Sequence, residues 1–177
     1  MQTGLDAVLS EEVLNLHREH LRSMKLKYSV YEKSIHEIAA KSMREISRTR
    51  IKEREEVLHL FRNIKAHELY FDSFGAEFQS SNAVRKKYRS EASFLYELYE
   101  AAKKEKSDFL LITLNNGELG YEAMTEKSFL KSEPILAIDL CEHAYFIDFG
   151  FEKEEYLKKV ISRLNLNRID KIFLKRD

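Results

Sequence analysis

From Val13 onward, apolar and histidine side chains return every three or four positions: Val13, His17, His20, Leu21, Met24 and Tyr28. That period places them along one side of an α-helix. The helix has a clear start, because Ser10 can cap it and Glu11 and Glu12 stand at the positive end of its dipole. A second helical stretch is predicted from about Lys33 into the seventies, interrupted near Ser47-Arg48-Thr49, with Leu60, Ile64, His67 and Phe71 on one face of its last part. No glycine lies between Gly4 and Gly75, and the only proline is Pro134, so little in this region breaks a helix. Two long helices in succession predict an antiparallel hairpin.

Past Ser73-Phe74-Gly75 the period changes. Residues 83–104 predict one or two shorter helices with Phe94, Leu95, Leu98 and Tyr99 as their apolar face. The run from Phe109 to Leu114 reads as a strand, Asn115-Asn116-Gly117 as a tight turn, and residues 118–124 as the returning strand. A third strand, Ile135 to Ile138, follows Pro134 and ends at Asp139, after which residues 142–174 return to helix. The predicted fold class is α+β. It consists of an N-terminal antiparallel helical hairpin (1–80) and a C-terminal α+β domain (81–177) with a small three-stranded antiparallel sheet. There is no internal repeat and no low-complexity segment.

Composition narrows the function classes. The chain has 177 residues, 44% of them hydrophobic, enough for a real core. Thirty basic residues balance thirty acidic ones, which argues against a general nucleic-acid or membrane-surface binder. The basic run Arg85-Lys86-Lys87 is expected on a solvated helix face. A single cysteine, Cys141, has no internal disulfide partner and fits a reducing compartment. No signal peptide and no apolar run of membrane-spanning length is visible, so a cytoplasmic protein is expected.

Candidate chemistry rests on six histidines, His17, His20, His36, His59, His67 and His143, and on Asp139. His67 lies in apolar and aromatic surroundings, Ala66-His67-Glu68-Leu69-Tyr70-Phe71. Asp139 closes an apolar strand, where an unpaired carboxylate is costly to bury. His143 follows four residues later, within reach for a shared metal ion, although that spacing alone is common.

The stretch Ile135-Leu136-Ala137-Ile138-Asp139-Leu140-Cys141-Glu142-His143-Ala144-Tyr145-Phe146-Ile147-Asp148-Phe149 resembles the signature of iron/manganese superoxide dismutases, Asp-x-Trp-Glu-His-Ala-Tyr-Tyr-x-Asp-Tyr. The likeness continues through Tyr156-Leu157-Lys158 to Arg163-Leu164-Asn165-Leu166. Upstream, Ala66 to Phe71 is similar to the family's second ligand segment, and Ser10 to His17 to the segment that leads into its first ligand. The resemblance implies one iron or manganese ion per chain, held by His17, His67, Asp139 and His143 between the two domains. It also implies superoxide as the small-molecule substrate and a homodimer in which Glu142 bonds the ligand histidine of the other subunit. Three imidazoles and one carboxylate suit either metal.

Several neighbours of the ligands depart from the family. The gateway histidine and tyrosine, four and eight residues after the first ligand, are Leu21 and Lys25. Cys141 stands where the family has tryptophan, Tyr145 is kept, and Phe146 replaces the tyrosine that meets the gateway across the dimer. The solvent-binding glutamine has no counterpart; Lys127 and Asn63 fall near its two family locations, and the family's funnel arginine is Lys153. If His20 rather than His17 were the first ligand, Tyr28 would take the gateway spacing; the longer upstream match favours His17. Tyr145, Phe146, Phe149 and Phe151 are expected mainly in the core, Cys141 as a small buried side chain, and slow dismutation follows from the lost neighbours.

Overall fold

The computed structural model describes residues 4–39, 51–75, 80–115, 117–129 and 132–173. Helix α1 runs Glu11–Ala39 and α2 runs Ile51–Asp72. Ser10 caps α1 as expected, its Oγ accepting the Val13 amide at 3.3 Å. The second helix does not begin at Lys33: residues 33–39 still belong to α1, because nothing between Tyr28 and Ala39 is a proline or glycine that would stop it. The expected break at Ser47-Arg48-Thr49 lies outside the described residues, as do Asn116 and the end of the chain from residue 174. The two helices are antiparallel, since Tyr28 meets Phe61 while Lys25 meets Glu68 and His17 meets Tyr70.

Two helices follow, α3 (Asn82–Tyr88) and α4 (Glu91–Lys104), each opened by a serine cap, Ser81 and Ser90. The chain then forms β1 (Phe109–Asn115), β2 (Glu118–Ala123) and β3 (Pro134–Asp139). They make one antiparallel sheet in the order β2-β1-β3. Gly117, at φ +81°, supplies the left-handed residue that the β1–β2 turn needs. β1 is buried from Phe109 to Leu114, on both faces, which explains its continuous rather than alternating apolar run. Helix then returns in pieces, α5 (Phe146–Phe149), α6 (Lys153–Ile161) and α7 (Leu166–Phe173), with Gly150 at φ +55° ending α5. The fold is α+β, as the residue pattern predicts.

What joins the hairpin to the sheet also shapes the site. Ser73, fully buried at the end of α2, donates its Oγ proton to the Leu69 carbonyl at 2.6 Å and accepts the Ala137 amide of β3 at 2.8 Å. Phe74 pairs with Leu164 in an isolated bridge, and Asn165 donates to the Ser73 carbonyl at 2.8 Å. At the same open end of the hairpin the Ser10 amide donates to Asp148 at 2.6 Å, a contact across 138 positions. Both long helices are thereby held against the residues around β3.

Candidate metal centre

Each donor is placed by a different local device. His67 sits on the buried face of α2, and its Nδ1–H donates to the Asn63 carbonyl one turn back at 2.7 Å. That bond leaves Nε2 bare and aimed out of the helix. The Phe109 ring at the start of β1 stands 4.9 Å from the His67 ring and holds it laterally. His17, also buried, lies on the face of α1 that meets Tyr70 and Phe71, with ring centroids 5.2 Å away in both cases.

Asp139 ends β3 and is wholly buried. Its Oδ1 accepts the Cys141 amide at 2.9 Å, and its backbone carbonyl accepts the Tyr156 hydroxyl at 2.8 Å. Tyr156 is in turn 3.2 Å from the Tyr70 hydroxyl, so a buried pair of phenols ties the strand end to the ring that stacks on His17. The remaining oxygen, Oδ2, faces Nε2 of His17 at 3.1 Å, of His143 at 3.3 Å and of His67 at 3.7 Å. His67 Nε2 and His143 Nε2 are 3.3 Å apart.

These four donor atoms all lie within 4.8 Å of one another. Asp139 Oδ2 and both ring nitrogens of His17 are buried without a hydrogen-bond partner; the 3.1 Å approach of His17 to Asp139 is close but not aligned as donor to acceptor. Buried polar atoms left unpartnered cost about 1–3 kcal/mol each. A cation at the point on which they converge removes that cost, and imidazole nitrogen with carboxylate oxygen is a donor set that first-row metals accept.

The titration of these groups reflects the same crowding. Burial pushes His67 down to about 4, against the pull of Asp139. His143 moves the opposite way: burial works to lower it, but the Asp139 carboxylate outweighs that and raises it. Burial alone would raise Asp139; the His143 and His17 imidazoles reverse the sign and hold it well below the usual carboxylate range. One carboxylate thus serves three imidazoles.

Around the donors the rim differs from what the family spacing implies. A cleft of about 380 Å³ opens over His17 and His143 and is lined by Leu16, His20, Glu142, Phe146 and Ile147. Leu21 and Lys25 are not among its lining residues. Lys25 reaches across the hairpin and pairs with Glu68 at 2.7 Å, while Lys65 takes the other Glu68 oxygen at 3.1 Å. His20 is exposed at the cleft, its ring 4.9 Å from that of His143 and 5.3 Å from that of His67. The reason is helical geometry: relative to His17, His20 falls about 60° to one side and Leu21 about 40° to the other. The first flank meets the segment at Glu142 and His143, the second turns towards α2.

Other expectations need correcting too. Phe146 and Phe151 are not core residues; they are 45% and 92% exposed and pack on each other, because the single turn of α5 carries Phe146 outward with Ile147 and Phe151 follows in the turn after Gly150. Tyr145 is buried and stacks on Tyr156, and Phe149 is half-buried. Cys141 is half-buried rather than enclosed, its thiol raised by burial and by Asp139. Asn63 turns its amide back to the His59 carbonyl at 3.0 Å, and Lys127 is exposed. The Tyr70–Tyr156 pair was not singled out from sequence, though a tyrosine one turn after His67 in an apolar stripe is the signal that could have found it.

Fold and donor set together define a protein with a buried imidazole–carboxylate cluster able to hold a metal ion. The C-terminal domain of the iron/manganese superoxide dismutases matches residues 76–172, more than half of the chain, and the chain belongs to that family. No curated protein matches it. Among the described residues no helix is long and apolar enough to cross a membrane.

Proposed function

We propose that the chain is an iron- or manganese-dependent superoxide dismutase of reduced activity, holding one ion per chain through His17, His67, Asp139 and His143. The observation that carries this reading is the convergence of four donor atoms, three of them on buried residues, with no hydrogen-bond partner for Asp139 Oδ2. When bound, such an ion would supply one-electron chemistry, by which two superoxide anions and two protons give oxygen and hydrogen peroxide. The chain's own residues do the rest. Asn63 and Cys141 fix the orientations of His67 and Asp139 through backbone groups. Tyr70 and Tyr156 exclude water beneath the donors.

The reading places the site between an N-terminal hairpin half, residues 1–80, and an α+β half, residues 81–177. It also takes the rim of the cleft at Glu142 as the contact of a homodimer. Leu16, Phe146 and Ile147 leave apolar surface around the exposed Glu142, which then meets His143 of a second copy. Light scattering is the check, with Glu142→Ala expected to weaken the dimer.

A second reading keeps the ion but not the rate. The glutamine, tyrosine and histidine that serve protons and bound solvent in the family have no replacement among the cleft residues apart from His20. Losses of such outer partners cost about 10–100-fold each in affinity or activity. Elemental analysis and a dismutation assay on the same purified sample separate the readings. Turnover per bound ion at least tenfold below ordinary family members supports the dismutase reading, metal without turnover favours sequestration, and protein that takes up neither iron nor manganese sinks both.

A further inference from the structure

Iron and manganese commonly take five or six ligands, so four protein donors leave a position to fill. The structure puts one more imidazole beside it. The three rings of His17, His67 and His143 lie 4.9–5.5 Å from one another. His20 lies 4.9 Å from the His143 ring and 5.3 Å from the His67 ring, the same spacing as the three keep among themselves. Yet its nitrogens are outside the group of mutually close donor atoms. The ring is exposed, lines the cleft over the site, and has ring contacts but no hydrogen bond or ion pair among the described residues. Among the described residues no hydrogen bond or ion pair therefore fixes its nitrogens, and rotation about its side-chain bonds is open to it.

We propose that His20 is an exchangeable ligand: it swings onto the open position of the ion and must leave before a small anion can bind there. The inference rests on the four-donor reading given above. His17 and His20 are three residues apart on α1, neighbours on a helix surface, so both reach one site without bending the helix. Their roles differ because their burial differs. His17 is locked between Tyr70 and Phe71, whereas His20 faces the cleft. An anion that has to displace the imidazole binds more weakly by the fraction of time that the position is free; occupancy of about nine-tenths weakens it about tenfold. Dismutation would then be limited by the departure of His20, a device built from this chain's own residue where the family has a fixed gateway.

Cobalt(II) and azide test this without any assay of turnover. Visible absorption of the cobalt-loaded full chain reports coordination number, since the bands weaken as ligands are added, and azide titration reports the open position. His20→Ala, an exposed change that leaves the core alone, is expected to intensify the cobalt bands and to tighten azide several-fold; His20→Gln should do the same. Unchanged bands and unchanged azide affinity in both variants overturn the proposal. Tighter azide with unchanged bands also overturns it, because His20 then only obstructs, and weaker azide shows that the ring holds the anion rather than competing with it. If the unmodified chain does not take up one cobalt ion, or takes it up equally well as His67→Ala, the four-donor reading fails first and this inference with it.

Discussion

The floor of the candidate centre and its mouth are built differently. On the floor, Asp139, His17 and His67 are at most 2% exposed, and two of them are oriented by backbone groups. At the mouth, His20, Glu142, Phe146 and Ile147 are exposed, and among the described residues no hydrogen bond or ion pair fixes the His20 ring. The family match takes in Asp139 of the floor and Glu142, Phe146 and Ile147 of the mouth, whereas His17, His20 and His67 lie before it. A buried donor cannot change alone without leaving its partners unmatched; an exposed one can.

The sharpest way to break the comparison is to alter the floor without altering its shape. Asp139→Asn removes the charge that three imidazoles share. Metal affinity measured by competition with a chelator should fall by more than the about 100-fold that loss of an outer partner costs, with the fold intact by circular dichroism. Retained affinity would mean that the floor is not where the ion sits.

Acid provides a second test, on the metal-free chain. His67 is held at about 4 in the fold against 6.5 when free. Between those values the unfolded chain binds the extra proton, so the contribution of His67 to stability is complete above pH 6.5 and is lost as the pH falls towards 4. The loss amounts to at most about 3 kcal/mol. His143, raised by Asp139, works in the opposite sense, its stabilisation fading as pH rises through its folded value. Urea unfolding across that range, compared with His67→Gln, isolates the term; an identical pH profile in the variant would remove His67 as its source.

Beneath the floor, Tyr156→Phe leaves the Asp139 carbonyl and the Tyr70 hydroxyl without their partner. A stability loss of about 1–3 kcal/mol is expected from the denaturation midpoint, together with weaker metal binding. Loss of stability without any effect on the metal would show that the phenol pair serves the core alone.

The smallest effect belongs to the rim. Lys25 and Glu68 are both more than a third exposed, and such pairs contribute no more than about 1 kcal/mol. Lys25→Tyr should shift the midpoint within that limit and leave metal affinity unchanged. A large change in either would move Lys25 from the hairpin flank to the site.

What could be read from sequence follows the same division. Asp139 was legible because it ends an apolar strand, and His67 because it interrupts an apolar helix face; a buried charge or imidazole among such residues needs a matching partner. The three strands were legible for a related reason, a continuous apolar run flanked by turn residues. The exposed fate of Phe146 and Phe151 was not, because aromatic residues look alike to a pattern whether a one-turn helix and the turn after it carry them inward or outward. Nor was the side of α1 on which Lys25 would find Glu68, which depends on where α2 lies. The start of the second helix was misjudged at Lys33 because nothing in α1 marks its end before residue 39.

The contact of Ser10 with Asp148, 138 positions apart, carries a consequence in time. A chain grows from its N-terminus at about 5–20 residues per second, so Asp139 leaves the ribosome roughly 4–14 s after His67. Through that interval the hairpin has two of the four donors and lacks both a complete β3 and the segment that clamps the start of α1. The other two donors, Asp139 and His143, follow only at the end of that interval. The candidate donor cluster is thus complete only once His143 has been made, and a chain stalled before Asp139 carries two of its four donors.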